Sequence, residues 1–221
     1  MTVESLATPA AFLRAMLGVN LPSEAEALAY EAWWEAEGAP VSAAIDRRGA
    51  PHFHALLEPD HVRLWRHGAR AGAVWRGFVE ETLLSSCVLN YVTAFYDPGI
   101  SLSYSASLAV THIVDKYAPS AVRDLFLSRL KARDDTVWQG AVWFSEGASL
   151  AAAPRGDRWQ LTGSLPICAN VGADLALVVA SPDGSAGATL FLVPHVREDG
   201  TSNDIAVRFR KTAAARSVVV G

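Results

Sequence analysis

The residues of this 221-residue chain best suited to chemistry fall between Trp138 and Pro194. Trp143-Phe144-Ser145-Glu146-Gly147 places a hydroxyl and a carboxylate at the end of an apolar run, just before a Gly/Ala-rich loop. Trp159-Gln160-Leu161-Thr162-Gly163 follows a Pro-Arg-Gly-Asp turn, and Asn170-Val171-Gly172-Ala173-Asp174 feeds a second apolar run. Read alone, Ser145 and Glu146 also suit an ordinary strand end, and Asn170 and Gly172 are turn formers first. His52, His54, His61 and His67 invite a metal reading, but they show no clear helix-face pair and no accompanying cysteines, so no metal site is expected. Cys87 and Cys168 are far apart in apolar surroundings and read as buried, reduced thiols.

The elements that must position these groups follow from periodicity. Dense Val, Leu, Trp and Phe, with turns at Pro154-Arg155-Gly156-Asp157 and Ser181-Pro182-Asp183-Gly184, read as strand, loop, strand, break, strand, turn, strand. Trp138, Trp143 and Trp159 are expected to pack in that sheet and its core. Upstream the pattern is helical. Ser23 caps a helix with Glu26 in the capping-box position, stopped by Gly38 and Pro40, and the Trp33-Trp34 pair on it reads as packing. Arg76 to Tyr96 is the longest helical candidate, with a broad apolar stripe of Phe78, Leu83, Leu84, Cys87, Tyr91 and Phe95, together with Val88 and Leu89. Asp97-Pro98-Gly99 ends it, Ser101 to Lys116 forms the next helix, and Pro119-Ser120 opens a third that buries Val122, Leu125, Phe126 and Leu130. The period changes from helical to strand-like near residue 134. The expected organisation is α+β: an all-helical N-terminal domain, 1–133, and a mostly antiparallel, β-barrel-like domain, 134–221.

Half of the residues are hydrophobic and 19% are charged, the balance of a globular chain with a sizeable core. A formal charge of -4 leaves no basic footprint for nucleic acid. No apolar run reaches the length of a membrane span, and the first residues lack the basic start and apolar core of a secretory leader, so a cytoplasmic location is expected.

Taken in order, the motifs resemble those of the acyl-CoA dehydrogenase superfamily, in particular its AidB-like branch. Trp143 to Glu146 is similar to W-x-[ST]-E, Trp159 to Gly163 to W-x-L-[TV]-G, and the strand ending in Phe191-Leu192-Val193-Pro194 to the family's FLVP. Ala215-Arg216-Ser217-Val218 looks like T-R-S-V. In the helical part, Asp97-Pro98-Gly99-Ile100-Ser101 with Tyr104 and Ser107-Leu108-Ala109 resembles D-P-G-L-S-C-P-Y-x-x-S-L-A, and Asp115-Lys116-Tyr117-Ala118 resembles D-K-Y-A.

The resemblance implies a flavoprotein that oxidises an acyl-CoA thioester across its α,β bond, with FAD as hydride acceptor. It assigns Trp143, Ser145, Glu146, Ser149, Ala169 and Asn170 to the flavin wall. It also implies departures: Leu150 stands where G-G-S-D has aspartate, Leu165 replaces a lysine, Ile167 stands where an aromatic packs on the flavin, and Ala169 lacks the expected hydroxyl. Losing one aromatic contact and one hydrogen bond is worth on the order of 2 kcal/mol, about thirtyfold in affinity. The family's catalytic base lies in a C-terminal helical bundle that follows the point where this chain ends, so no catalytic residue is assigned within it. The expectation is therefore a truncated segment that needs a C-terminal-half partner chain or oligomer. The alternative is a non-catalytic scaffold that has lost FAD.

Overall fold

Helical elements precede the sheet in the computed structural model, which describes residues 9, 11–13, 24–47, 59–79, 83–144, 150–166, 168–182 and 187–206. The helices are α1 (Glu24–Trp33), α2 (Ala39–Arg47), α3 (Pro59–Ala71), α4 (Arg76–Val79), α5 (Leu84–Tyr96), α6 (Pro98–Tyr117) and α7 (Ser120–Leu130). Gly38 and Pro40 do not stop the first helix. A π turn over Trp34–Gly38 carries it into α2, with the Ala39 N–H donating to the Trp34 carbonyl. A Cβ at position 38 would lie 2.4 Å from the Trp34 ring, so glycine lets that ring lie flat on the backbone. Pro40 follows directly within the continuing helix, and the widened π turn before it makes room for a residue that has no N–H to bond back along the chain.

The long helix expected over Arg76 to Tyr96 is divided into α4 and α5. The Ser86 hydroxyl, at the start of α5, accepts from the Gly77 N–H at 2.9 Å and lies 3.1 Å from the Gly72 carbonyl, which ties α5 to the turn ahead of α4. The expected apolar stripe is split between core and surface. α5 buries Val88, Leu89 and Val92, whereas Leu84, Tyr91 and Phe95 face outward and Cys87 is exposed. On α7, Phe126 and Leu130 are buried but Leu125 is exposed. Cys168 is half-buried rather than buried.

The helical core gathers Tyr30, Trp34, Leu64, Trp65, Leu89, Val92, Ile100 and Tyr104. The Tyr30 hydroxyl meets Thr93 Oγ1 at 2.7 Å, and the Tyr104 hydroxyl donates to the Trp65 carbonyl at 2.7 Å, so both buried phenols are paired. His67 is stacked on Trp33 with ring centroids 3.5 Å apart and on Tyr30 at 5.6 Å. Burial, helped by the nearby Arg70 cation, pushes its imidazole down from 6.5 to about 4. An unfolded imidazole takes up a proton near 6.5, while the folded one refuses it until about 4. Stability is therefore full above the upper value and falls as the pH drops through that window. A fully buried group displaced that far would be worth roughly 3 kcal/mol. His67 is only half-buried, so we expect a loss of about 1 to 2 kcal/mol. Denaturant titrations at several pH values should show this loss in the wild type and a flatter profile in His67→Phe; parallel profiles would refute it.

The sheet is organised around β4 (Leu175–Pro182), whose near-continuous apolar sequence is that of a strand covered on both faces. β1 (Gly140–Trp143) pairs with it in parallel, from Gly140↔Leu175 to Trp143↔Val178. β5 (Thr189–Pro194) pairs antiparallel along the other edge. β2 (Ala151–Arg155) pairs in parallel with the end of β4 and antiparallel with β3 (Arg158–Thr162). The fold is α+β as expected, but the sheet is mixed rather than mostly antiparallel, and it does not close into a barrel among the described residues. The reason is geometric. β1 and β2 run the same way along one edge of β4, as a single edge interrupted between Trp143 and Ala151.

Alternation assigns the two faces of β4. Leu175 and Leu177 pack with Val110, Val114, Phe126 and Leu130 of α6 and α7. Ala176, Val178 and Ala180 pack with Ala141, Trp143, Leu150 and Ala152. The helical and β parts thus share a core.

Candidate functional site

Trp143 is the last residue of β1, and its indole N–H donates to the Ala169 carbonyl at 2.9 Å. This bond closes the interrupted edge of the sheet against the turn that precedes β4. The turn needs a left-handed residue, and Asn170 supplies it at φ 53°, a conformation asparagine tolerates better than most residues. The Ala173 N–H donates back to the Asn170 carbonyl at 3.0 Å. The Asn170 side chain is turned inward: it is 5% exposed, and Nδ2 donates to the Gly140 carbonyl at 2.9 Å.

Gly140 is held from the opposite side as well. Its N–H donates to Ser107 Oγ at 2.9 Å, and that hydroxyl donates to the Ser103 carbonyl at 2.8 Å. One residue earlier, the Gln139 N–H donates to Asp174 Oδ2 at 2.8 Å, and the Leu175 N–H donates to the Gln139 carbonyl at 3.1 Å. Burial pushes the Asp174 carboxyl up, opposed by the Gln139 hydrogen bond and by the charges of His195 and Arg66. The beginning of β1, the turn at 169–174 and α6 therefore form one braced junction.

Of the residues assigned to the flavin wall, the junction brings Trp143, Ala169 and Asn170 together. Ser145, Glu146 and Ser149 lie outside the described residues, as does Ile167. The side-chain donors of Trp143 and Asn170 are engaged inside the fold, and both residues are buried. Phe144, next along from Trp143, is 65% exposed, and the half-buried Cys168 thiol is pushed up by burial, which makes it a poor nucleophile. Trp159 is half-exposed on β3, edge-on to Phe191 at 5.6 Å. Gln139, Gly140 and Ser107 were not singled out as site-forming by the sequence. Their roles are backbone contacts between distant segments, which no local motif announces.

Among the described residues, no three His, Cys, Asp or Glu side chains are grouped so as to hold a metal ion. His61 is buried and His67 is stacked as above; His52 and His54 lie outside the described residues. No described helix is long and apolar enough to cross a membrane.

No protein-family model matches the chain, and no curated protein matches it in sequence. Solved structures do match its fold. Caenorhabditis elegans ACDH-11 in complex with C11-CoA superimposes with a TM-score of 0.66 and 17% identity, over 97% of this chain and 43% of that one. Butyryl-CoA dehydrogenase from Megasphaera elsdenii gives 0.65 and 21%, over 80% of this chain and 49% of that one. KijD3, in complex with FMN and a dTDP-linked amino-keto sugar, gives 0.54 and 15%, over 80% and 46%. The chain thus carries the α+β fold found in acyl-CoA dehydrogenase structures, and spans less than half the length of each of these three.

Proposed function

We propose that this chain is the flavin-binding portion of an acyl-CoA dehydrogenase-like oxidoreductase, of the AidB-like kind, acting on an acyl-CoA thioester. The observation that carries the reading is the Trp143–Ala169 bond at the interrupted sheet edge. It joins Trp143 to Ala169, which together with Ser145, Glu146, Ser149 and Asn170 would form one flavin wall. A bound FAD would supply the hydride acceptor. Trp143, Ser145, Glu146, Ser149, Ala169 and Asn170 would line its site. The described members would do so by shape and backbone, since the indole and amide donors are engaged internally. The carboxylate base would come from a C-terminal-half partner chain or oligomer.

A second reading, a scaffold relative without cofactor, is favoured by that same internal engagement and by the missing hydroxyl at Ala169. The spectrum of the chain after incubation with FAD and desalting separates the two. The flavoprotein reading expects retained flavin absorbance, and expects Ala169→Ser to tighten binding about fivefold by adding one hydrogen bond. A folded, helical sample that retains no flavin in either form would leave the scaffold reading.

A further inference from the structure

From Leu84 to Val114, across all of α5 and most of α6, the only Asp, Glu, Lys or Arg is Asp97, and it is buried. A surface helix ordinarily turns charged residues outward. α5 turns outward Leu84, Cys87, Tyr91 and Phe95 instead. Phe95 is 62% exposed, Leu83 lies beside the stripe, and Phe12 stacks on Tyr91 with centroids 6.1 Å apart. The spacing of three, four and four residues keeps the stripe on one side of the helix, as in the seam of a packed helix pair.

With between about a third and two thirds of each side chain exposed, Phe12, Leu83, Leu84, Tyr91 and Phe95 together present about 400 Å² of largely apolar surface. That approaches the apolar share of the roughly 800 Å² each partner buries in a stable interface.

We propose that this face is a two-fold interface with a second copy of the chain, α5 packing antiparallel on α5. The stripe complements itself. An antiparallel pairing centred near Leu89 and Asn90 sets Leu84 of one copy against Phe95 of the other, and Cys87 against Tyr91. Each ring therefore meets a smaller side chain, twice over by symmetry. Nothing charged on the stripe has to be desolvated, which removes the main penalty of closing such a contact. A lipid surface fits less well, because a membrane-seated helix carries Lys or Arg flanking its apolar face and α5 has none. The proposal does not rest on flavin binding, and its test has no flavin readout.

Sedimentation velocity of the full chain should show the mass rising with concentration from 23.6 kDa to twice that value. Phe95→Glu, on an exposed position, should keep the wild-type circular dichroism and raise the dimer dissociation constant by about a hundredfold or more. In a Cys168→Ser background, Tyr91→Cys should give a covalent dimer on mild oxidation, and adding Cys87→Ser should abolish it. A chain that stays monomeric at every concentration overturns the proposal and leaves the face to another occupant. A dimer indifferent to Phe95→Glu overturns it too, as does a cross-link that survives Cys87→Ser.

Discussion

Replacing Asp97 with alanine should lower the unfolding free energy by about 3 kcal/mol, the sum of a lost helix cap and newly unpartnered buried groups. Asp97 is fully buried between α5 and α6. Its Oδ1 accepts from the Gly99 and Ile100 N–H groups, both at 3.0 Å, which satisfies the first turn of α6. Its Oδ2 accepts from the Ser42 hydroxyl at 2.6 Å, which ties α2 to the same point. Alanine removes the cap and leaves two amides and a hydroxyl in a place water does not reach. For a chain of this size, the melting temperature should fall by about 6 to 12 °C. Asp97→Asn keeps an oxygen for the amides and a polar group for Ser42, so it should cost about 1 kcal/mol. If alanine and asparagine proved equal in denaturant titrations, the cap would not be what holds the two helices.

The same residue shows why much of the helical part is legible in sequence. Asp97-Pro98-Gly99 combines a side chain that caps, a ring with its φ preset for the first turn and no backbone N–H to satisfy, and a residue small enough to be buried there. The helices divide at that point. Turn chemistry was equally clear at Gly156-Asp157. Gly156, at φ 64°, takes the first central position of the two-residue β2–β3 hairpin. What periodicity could not supply was direction. It marks a broad stripe without saying which edge of it meets the core, and here Val88 and Leu89 of that stripe, with Val92, meet it while Leu84, Tyr91 and Phe95 do not. Nor does a strand pattern reveal that β1 and β2 lie parallel to β4, because that depends on where the interrupted edge resumes.

The candidate site was legible to a different degree. Asn170 was readable as a turn former, and it adopts the one positive φ of a described residue other than glycine. The bonds that give the site its shape are long-range: Trp143 to Ala169 spans 26 positions, Asn170 to Gly140 spans 30, and Gly140 to Ser107 spans 33. Contacts of that separation are set by the packing of α6 on the sheet, so they follow from the fold rather than from any local motif.

That packing is most exposed to change at Gly140, where substitution by valine should cost about 3 kcal/mol or more through overpacking. A Cβ at this position would lie 2.9 Å from the Ser107 Cα, 2.9 Å from the Val110 Cβ and 3.0 Å from its Cγ2. Two of these atoms belong to a stiff β-branched side chain and the third to the α6 backbone, so none can swing aside. Gly140 is not among the glycines at positive φ, so space rather than backbone conformation excludes the larger residue. To make room, α6 must move off β1, which stretches the 2.9 Å bond from the Gly140 N–H to Ser107 and disturbs the Asn170 contact on the other side. Gly156→Val is the control. It meets no atom within 4 Å but must adopt a left-handed φ, so it should destabilise the hairpin locally without touching the junction. Hydrogen exchange would distinguish the two. Gly140→Val should speed exchange of the Gln139 and Leu175 amides, and Gly156→Val should leave them as in the wild type. Unchanged protection at Gln139 and Leu175 in Gly140→Val would mean that the close approach of α6 is not what braces the site.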